Sequence, residues 1–288
     1  MDQKFSDDEQ MMNTFKPKHI QDQMGAVIRM ENCINEVQSF LEANKLSNNE
    51  DKTELLLFGT PQALAKVKFD QIIVGSINVK VIDKARNLGV IFDKNMSMEQ
   101  QVNKICSTCF YNIKNIAEIR KNISRENAKT VINALVTSHL DYGNALLYGI
   151  QARLINKLQI VQNASARVIE KLRKYDHITE VRKNLHWLPV KARIEHKILT
   201  YVFQSQHNIS PKYLQALLKH KPKHRDLRSN NNNLLINPEI NLSTYGNRAF
   251  RKSAPELWNP LPEDLKNVTS VQLFKKRLKT HLFKQYYE

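Results

Sequence analysis

The sequence predicts an α+β fold that is mostly helical, and three observations support this prediction. Residues 1–96 combine one helical pattern with several short apolar runs that end near glycine or proline, as the strands of a small sheet do. From residue 97 onward the apolar residues recur at helical spacing. The 288 residues are 41% hydrophobic and 25% charged, which is typical of a globular chain with a real core.

The front part is predicted to be one helix packed on a small, mostly antiparallel sheet. The helix is expected at about residues 22–45, where apolar residues recur at helical spacing: Val27, Met30, Ile34, Val37 and Leu41. Four short strands are expected at about residues 55–58, 72–74, 77–82 and 87–92. Such a pattern predicts a compact α+β unit at the start of the chain.

The rear part is predicted to be a series of amphipathic helices. They are expected at about residues 98–121, 125–148, 151–174, 190–206, 211–219 and 270–285. Ser124 with Asn127 is the predicted start of the second helix, and Ser210-Pro211 opens the fifth. Cys106-x-x-Cys109 lies on an apolar helix face without a second pair or a histidine at ligand spacing, so it is interpreted as core packing.

The central helix, about residues 151–174, is both amphipathic and basic. At roughly 100° per residue, one face carries Leu154, Leu158, Val161, Ser165, Val168 and Leu172. A neighbouring basic stripe carries Arg153, Lys157, Arg167, Lys171 and Lys174. One face can therefore enter a core while the stripe meets phosphate, and the alternative is a solvated helix face. Aromatic candidates for stacking on bases are Tyr142, Tyr148, Tyr175 and Trp187, with core packing as the alternative.

The positive charge of the chain lies almost entirely in its rear part. Residues 1–100 hold 12 Lys and Arg against 15 Asp and Glu, a net charge of −3, whereas residues 101–288 hold 32 against 13, a net charge of +19. This asymmetry predicts a unit that faces a polyanion, with nucleic acid as the first candidate. No apolar run approaches the roughly 20 residues of a membrane span, and the helices lack the Trp- and Phe-rich faces of membrane-surface helices.

Two further basic segments are candidate phosphate contacts. The first is the run at residues 219–225, with Lys221, Lys223 and Arg225, for which a solvated loop is the alternative. The second lies on the last helix, with Lys275, Lys276, Arg277 and Lys279. Between them, the Asn-rich residues 229–244 are expected to form a mobile loop.

The setting of the protein and the class of its chemistry are bounded by what the sequence lacks. Three cysteines and an acidic, polar N-terminus indicate an intracellular protein, in the nucleus or the cytoplasm. No Ser–His–Asp set, phosphate loop or zinc cluster is evident, which disfavours a complete enzyme of another kind. Near the N-terminus, Phe5-Ser6-Asp7-Asp8 places two adjacent carboxylates that are either surface charge or, in a strand–turn–strand, ligands of a divalent cation.

Five motifs occur in a specific collinear order. They are Leu88-Gly89-Val90, Leu140-Asp141-Tyr142-Gly143-Asn144, Val161-Gln162-Asn163-Ala164 with Arg167, His186-Trp187-Leu188-Pro189-Val190, and Tyr245-Gly246-x-Arg248-Ala249-Phe250 followed by Ala254-Pro255-x-Leu257-Trp258-Asn259-x-Leu261-Pro262. Together they resemble the C-terminal half of the reverse transcriptase of non-LTR retrotransposons of the LINE group, in the jockey and chicken-repeat-like branches. The resemblance covers nearly the whole chain.

The resemblance implies a role for each region. Residues 1–96 would be a truncated palm remnant, residues 97–206 a helical thumb-like domain, and residues 207–288 a basic, helical C-terminal region. Phe5-Ser6-Asp7-Asp8 matches the aromatic-Ala-Asp-Asp motif of the palm, with Ser in place of Ala, so Asp7 would be a ligand of Mg²⁺ with Asp8 beside it. Lys52, in Asp51-Lys52-Thr53-Glu54, would neutralise or protonate the leaving pyrophosphate.

The implied active site is incomplete in this sequence. Two-metal polymerase chemistry needs carboxylates from two separate palm strands, and only six residues precede Asp7. We therefore expect a fragment of an RNA-directed DNA polymerase that does not polymerise alone, holds no functional Mg²⁺, and retains basic helices that bind RNA, DNA or an RNA–DNA duplex. A full-length polymerase of the element is a further candidate partner. A host-captured nucleic-acid-binding protein and an inert remnant of a transposable element remain the alternatives.

Overall fold

A computed structural model of the chain describes residues 3–5, 8–46, 52–221, 234–240 and 242–288. The chain divides into two compact units, Met1–Gln100 and Gln101–Glu288. We call them the N-terminal unit and the helical unit. The α+β prediction with mostly helical content is confirmed, because the described strands form small sheets in the N-terminal unit and long helices dominate the described remainder.

The N-terminal unit contains one long helix and short strands. Its helices are α1 (Ile20–Ala43) and α2 (Pro61–Leu64), followed by the first residues of α3. Its strands are β1 (Gln3–Phe5), β2 (Asp8–Gln10), β3 (Leu55–Leu56), β4 (Gln71–Val74), β5 (Ile77–Ile82), β6 (Lys84–Asn87) and β7 (Val90–Asp93). The predicted helix at 22–45 and the predicted strand at 77–82 therefore lie where they were expected.

The strands form three small sheets rather than one. β1 pairs with β2, and β6 pairs with β7, both antiparallel. In the third sheet β5 is central, antiparallel to β4 but parallel to β3. The predicted strand at 87–92 is wrong in its position, because Leu88 and Gly89 form the turn between β6 and β7 with positive φ at both residues. A glycine in a tight turn explains this break, which the apolar pattern alone did not indicate.

The core of the N-terminal unit lies between α1 and the sheet of β3, β4 and β5. Its buried apolar side chains are Ile34, Ile72, Val74 and Val79. Gln23 of α1 is also buried, and its amide is fully used: Nε2 donates to the carbonyls of Pro17 and Lys66 at 2.8 and 2.9 Å, and Oε1 accepts from the N–H of Lys68 at 2.8 Å. This buried amide ties the helix to the loop that precedes β4.

The helical unit consists of helices from α3 to α13. Their bounds are α3 (Glu99–Ile119), α4 (Arg125–Ile132), α5 (Ser138–Asp141), α6 (Ala152–Glu170), α7 (Thr179–Asn184), α8 (Val190–Gln206), α9 (Lys212–Ala216), α10 (Ser243–Gly246), α11 (Phe250–Trp258), α12 (Glu263–Lys266) and α13 (Val271–Tyr287). Within the residues that the structure describes, none of these helices has both the length and the apolar character needed to cross a membrane.

The predicted helix at 125–148 is interrupted. Ser124 caps α4 as expected, its Oγ accepting a hydrogen bond from the N–H of Asn127 at 3.1 Å. The helix then widens into a π-helical turn at Asn133–Thr137 and ends after Asp141, where Gly143 adopts a left-handed conformation with φ of 62°. Glycine has no Cβ to oppose that conformation, so the chain can leave the helix there.

The core of the helical unit is built around α8. This helix buries ten of its 17 residues and packs against α6, α11 and α13. Phe203 of α8 stacks on Phe274 of α13 with ring centroids 4.2 Å apart, and Trp258 of α11 lies 5.9 Å from the Phe274 ring. Full burial of such large rings contributes strongly to the free energy of unfolding.

Several residues of the collinear motifs hold this core together. Gln162 of α6 is buried and donates through Nε2 to the carbonyl of Leu188 at 2.9 Å. Asn259 makes both amide hydrogen bonds to the backbone of Leu235, each 2.9 Å long. Leu235 is fully buried, so the predicted mobile loop at 229–244 is wrong for this residue. The side-chain amide of Asn259 therefore holds Leu235 in the core, whereas residues 229–233 and 241 lie outside the described residues.

Gly149 permits a close approach of Arg248, a residue of the last motif. Its φ is 69°, a conformation that side-chain-bearing residues rarely adopt. A Cβ at this position would lie 2.8 Å from Cγ of Arg248. The turn after Leu147 therefore requires glycine, both for its backbone conformation and for the space that Arg248 occupies.

Candidate nucleic-acid interface

Helix α6 presents the predicted apolar face to the core. Leu154, Leu158, Val161 and Ser165 are buried as predicted. Ile169 takes the last buried position, whereas Val168 and Leu172 are only half-buried. The apolar half of the prediction is therefore confirmed for the first three turns of the helix.

The basic stripe is shorter than predicted because α6 ends at Glu170. Lys171 adopts a left-handed conformation with φ of 54°. Its N–H donates to the carbonyl of Val168, and the N–H of Leu172 donates to the carbonyl of Arg167 at 3.0 Å, which together form a Schellman motif. Lys171 and Lys174 thus belong to the loop after the helix, and the prediction that they extend a helical stripe is wrong.

The remaining cations of the stripe are partly used inside the protein. Arg153 is exposed and donates through Nε to Gln151 at 2.7 Å, while the ammonium of Lys157 donates to Oδ1 of Asn103 at 2.9 Å. Arg167 is half-buried and donates through Nη2 to the carbonyl of Asp176 at 3.1 Å. The middle of the stripe therefore supports the fold, and its ends are the parts offered to solvent.

The loop after α6 presents the most exposed aromatic and basic group near the stripe. Lys171 and Lys174 are exposed, and Tyr175 keeps 87% of its surface accessible. The Lys174 ammonium lies 5.5 Å from the centroid of the Tyr175 ring. The carboxylate of Asp176 accepts from the N–H of Arg173 at 2.7 Å, so the loop has a defined shape.

The four stacking candidates differ in accessibility. Trp187 is buried and its carbonyl accepts a hydrogen bond from the hydroxyl of Tyr287 at 2.8 Å, so core packing, the alternative to base stacking, holds for this residue. Tyr148 is half-buried, and Tyr142 keeps 56% of its surface exposed. Tyr175 is therefore the candidate with the most free ring surface.

Helix α13 places its cations on the surface of the unit. Lys275, Lys276, Arg277 and Lys279 are exposed, while Phe274, Leu278 and Leu282 face the core. His196 of α8 contacts the same helix, with Nε2 3.1 Å from the carbonyl of Lys275. Because a carbonyl only accepts, this nitrogen carries the proton.

Three cations that the sequence did not single out act electrostatically on Lys279 or on His196. They are Lys129 of α4 and Arg193 and Lys197 of α8. Partial burial, and then the charges of Arg193 and Lys129, lower the pKa of Lys279. Burial and then the charges of Arg193, Lys197 and Lys275 likewise lower the pKa of His196, against the opposing effect of its bond to the Lys275 carbonyl. Burial is the larger cause of both shifts, and the positive charges of neighbouring residues add to it.

The basic run at 219–225 is described only in part. Lys221 is exposed, and its N–H donates to the carbonyl of Leu234 at 3.0 Å. Lys223 and Arg225 lie outside the described residues. His220 forms an antiparallel bridge with Leu235, so the start of the run is held to the next described segment of the chain.

The predicted catalytic residues lie in the N-terminal unit. Asp7 lies outside the described residues. Asp8 is the first residue of β2 and pairs with Phe5 of β1 in an antiparallel register. Lys52 is exposed and lies just before β3.

Neighbours of Asp8 and of Lys52 contact the same strand. Gln10 accepts a hydrogen bond through Oε1 from Nδ2 of Asn87 at 2.8 Å. The carboxylate of Glu54 accepts from the N–H of Arg86 at 3.3 Å. Because Arg86 and Asn87 are consecutive residues of β6, this strand connects the segments that contain the two motifs.

The described residues contain no group of three or more His, Cys, Asp and Glu side chains that is arranged to hold a metal ion. Cys106 and Cys109 pack on α3 as predicted: Cys109 is fully buried, and burial raises the pKa of its thiol to about 12. A thiol with so high a pKa is a poor nucleophile and a poor metal ligand at neutral pH.

Comparison of this chain with protein-family models, with curated proteins and with solved structures gave no match.

Proposed function

We propose that the helical unit binds nucleic acid through its phosphate backbone, and that the chain derives from the C-terminal half of a non-LTR retrotransposon reverse transcriptase. The observation that carries the binding proposal is the net charge of +19 on residues 101–288, the same residues that form the helical unit. The support for the derivation is the collinear set of motifs. Two of their residues, Gln162 and Asn259, make side-chain hydrogen bonds to the backbone in the core of this unit.

The expected binding mode is electrostatic. Exposed cations are offered by the loop after α6, through Lys171 and Lys174, and by α13, through Lys275, Lys276 and Arg277. Each phosphate that such a cation neutralises releases a counterion, so the affinity falls steeply as salt rises. RNA, DNA and an RNA–DNA duplex are all candidate ligands, because backbone contacts do not read base identity.

The chain by itself is not expected to polymerise. The resemblance assigns Asp7, Asp8 and Lys52 to the palm, but it assigns no carboxylate on a second palm strand within this sequence. Two-metal phosphoryl transfer uses carboxylates to hold both Mg²⁺ ions around the reacting oxygens. We therefore propose an intracellular nucleic-acid-binding fragment, acting in the nucleus or cytoplasm either with a full-length polymerase of the element or as a domain captured by the host.

The test combines a binding assay and a primer-extension assay on one labelled RNA–DNA duplex with a recessed primer. The expected result is tight binding at low salt, steep loss of binding as salt rises, and no nucleotide addition with Mg²⁺. Extension that Asp7→Asn abolishes would overturn the claim of an incomplete active site. Absence of binding at low salt would overturn the proposed function and leave the inert remnant.

A further inference from the structure

A small polar cavity lies at the C-terminal end of α8, and we call it the α8 pocket. Its volume is about 270 Å³. Its lining comes from the end of α8, from α11, from α12 and from the link between α12 and α13, and it includes Gln206, His207, Trp258, Lys266, Asn267 and Thr269. The pocket therefore belongs to the helical unit alone.

His207 supplies a fixed aromatic ring to the α8 pocket. Its ring stacks on that of Phe203 with centroids 4.0 Å apart and planes inclined by 24°. Its Nδ1 lies 2.9 Å from the carbonyl oxygen of Phe203, and because a carbonyl only accepts, Nδ1 donates. Phe203 is fully buried and stacks in turn on Phe274. One face of the His207 ring is thus held against the core, while the residue as a whole is exposed and lines the cavity.

Two hydrogen-bond donors of the lining are not fully used. Nε2 of Gln206 is buried and has no hydrogen-bond partner among the described residues. A buried donor without an acceptor raises the free energy of the folded state, so a ligand that supplies an acceptor relieves this penalty. The buried ammonium of Lys266 donates to the carbonyl of Asn259 at 2.9 Å and to Oε1 of Glu263 at 3.2 Å, which leaves one of its three N–H groups.

The ion pair between Lys266 and Glu263 indicates the class of ligand. Because Glu263 compensates the charge of the lysine, an anion in the pocket would meet a carboxylate as well as an ammonium. A neutral ligand with acceptor atoms avoids this repulsion. The His207 ring adds a flat surface, and its Nε2 accepts a hydrogen bond when the imidazole is neutral. A nucleobase combines a π-face with acceptors and donors on one edge, so it satisfies all of these groups.

We propose that the α8 pocket binds one unpaired base of a nucleic-acid strand. His207 stacks on the base through the ring face that Phe203 does not cover, and Gln206 and Lys266 donate to acceptor atoms on its edge. The proposal rests on the proposed function and adds a contact to a base, whereas the exposed lysines contact phosphates. The base must be unpaired, because a base inside a duplex keeps its faces stacked and its pairing edge occupied.

The test compares two single-stranded RNA probes of equal length and charge, one with a base at every position and one abasic. His207→Ala removes the ring, His207→Phe keeps an aromatic ring there, and Gln206→Met removes the amide donor at similar size. The control is His139→Ala, an exposed histidine of α5 in the same unit. Affinity for both probes is measured for each full-length variant at low salt and at a pH where imidazole is neutral, together with the Tm without RNA.

The expected result is a loss of preference for the base-bearing probe that is confined to the pocket variants. Relative to the wild type, His207→Ala lowers this preference about fivefold or more, as loss of one base–aromatic stack does. Gln206→Met lowers it by about threefold, whereas His207→Phe and His139→Ala retain most of it. Affinity for the abasic probe stays unchanged. The Tm of Gln206→Met without RNA equals or exceeds that of the wild type, because an unpaired buried donor is removed.

The outcomes separate this inference from the proposed function. If the wild type binds neither probe at low salt, the proposed function fails, and the assignment of the pocket fails with it. If the wild type binds both probes equally, or if His207→Ala and Gln206→Met keep the full preference, the pocket proposal is wrong and backbone binding stands. Equal losses for both probes would assign these residues to the fold or to backbone contact and would also overturn it. A loss in His207→Phe as large as in His207→Ala would overturn the stacking role of the ring.

Discussion

The N-terminal unit and the helical unit differ in how much of each helix they bury. In the N-terminal unit, α1 buries three of its 24 residues and leaves Met24, Ile28 and Phe40 more than half exposed. In the helical unit, α8 buries ten of its 17 residues. Burial of apolar surface is the main stabilising contribution to folding, so the two units differ in how securely their helices are anchored.

The two units also differ in net charge. The N-terminal unit has a net charge of −3, whereas the helical unit has +19 on a surface supported by a large core. A large core lets a protein carry a large excess of like charge despite the repulsion between those charges. The comparison teaches that stability and charge are concentrated in the same unit, which is where we place the binding function.

The largest expected effect comes from removing the central aromatic of the helical core. Trp258 is almost fully buried against Phe274, so Trp258→Ala should lower the free energy of unfolding by about 3–5 kcal/mol. Trp187, the other tryptophan, also lies in the helical unit and reports its unfolding by fluorescence in urea. The matched change Ile34→Ala in the N-terminal core should leave that transition in place. An equal shift from both variants would show that the units do not unfold separately.

The next effect concerns Arg120, a buried cation that directly follows α3 and contacts the C-terminal end of α6. Its Nε and Nη2 donate to the carbonyls of Val168 and Ile169, and Nη1 donates to that of Ile123 at 2.8 Å. Since hydrogen bonds from charged donors are the stronger ones, Arg120→Met should lower the free energy of unfolding by about 2–3 kcal/mol. The exposed neighbour is the control: Lys121→Met should change it by less than about 0.5 kcal/mol. Similar losses in both would mean that Arg120 does not hold α6.

Tyr175 tests whether binding involves bases as well as phosphates. Tyr175→Ala should weaken binding to single-stranded RNA by about 1–3 kcal/mol, the range for loss of one base–aromatic stack. The salt slope should stay unchanged, because no charge is removed. Tyr111, which is 67% exposed on α3, supplies the control Tyr111→Ala. If both variants bind as tightly as the wild type, the loop after α6 contacts the backbone alone.

The smallest effect is the pH dependence expected from Glu195. Burial raises the pKa of this carboxyl, opposed by the hydrogen bond from the Tyr286 hydroxyl at 2.9 Å and by Lys191. A raised folded-state pKa means that the contribution to stability is present below the ordinary carboxyl pKa and is lost as pH rises through the raised value. Glu195→Gln should remove this decline in urea unfolding measured across the acidic range, and the exposed-site control Glu180→Gln should retain it. A decline that persists in Glu195→Gln would assign it to another group.

Much of the helical unit could be predicted from the sequence, because local patterns determine it. The predicted helix at 190–206 coincides with α8, and the Ser124 cap lies where the capping pattern placed it. The predicted end of α6 at residue 174 is wrong, because the helix ends at Glu170 and Lys171 leaves it in a left-handed conformation. A glycine at that position would have indicated such an end, whereas a lysine does not.

The candidate site was harder to predict than the fold. Lys129, Arg193 and Lys279 are remote in sequence, and helical periodicity did not indicate that the charges of Lys129 and Arg193 act on Lys279. Conversely, Lys157 and Arg167 share a helix face in the sequence pattern, but tertiary contacts with Asn103 and with the carbonyl of Asp176 use their side chains. Helical periodicity shows which residues share a face, but it does not show which charges remain available to a ligand.

The central claim is that the helical unit, and not the N-terminal unit, contacts nucleic acid. The most direct measurement is the acetylation of individual lysines of the full chain by mass spectrometry, with and without an RNA–DNA duplex at low salt. We predict that the duplex protects Lys171, Lys174, Lys275 and Lys279, and leaves Lys66 and Lys80 of the N-terminal unit fully labelled. Protection of Lys66 and Lys80, or equal labelling of all six lysines with and without the duplex, would contradict the claim.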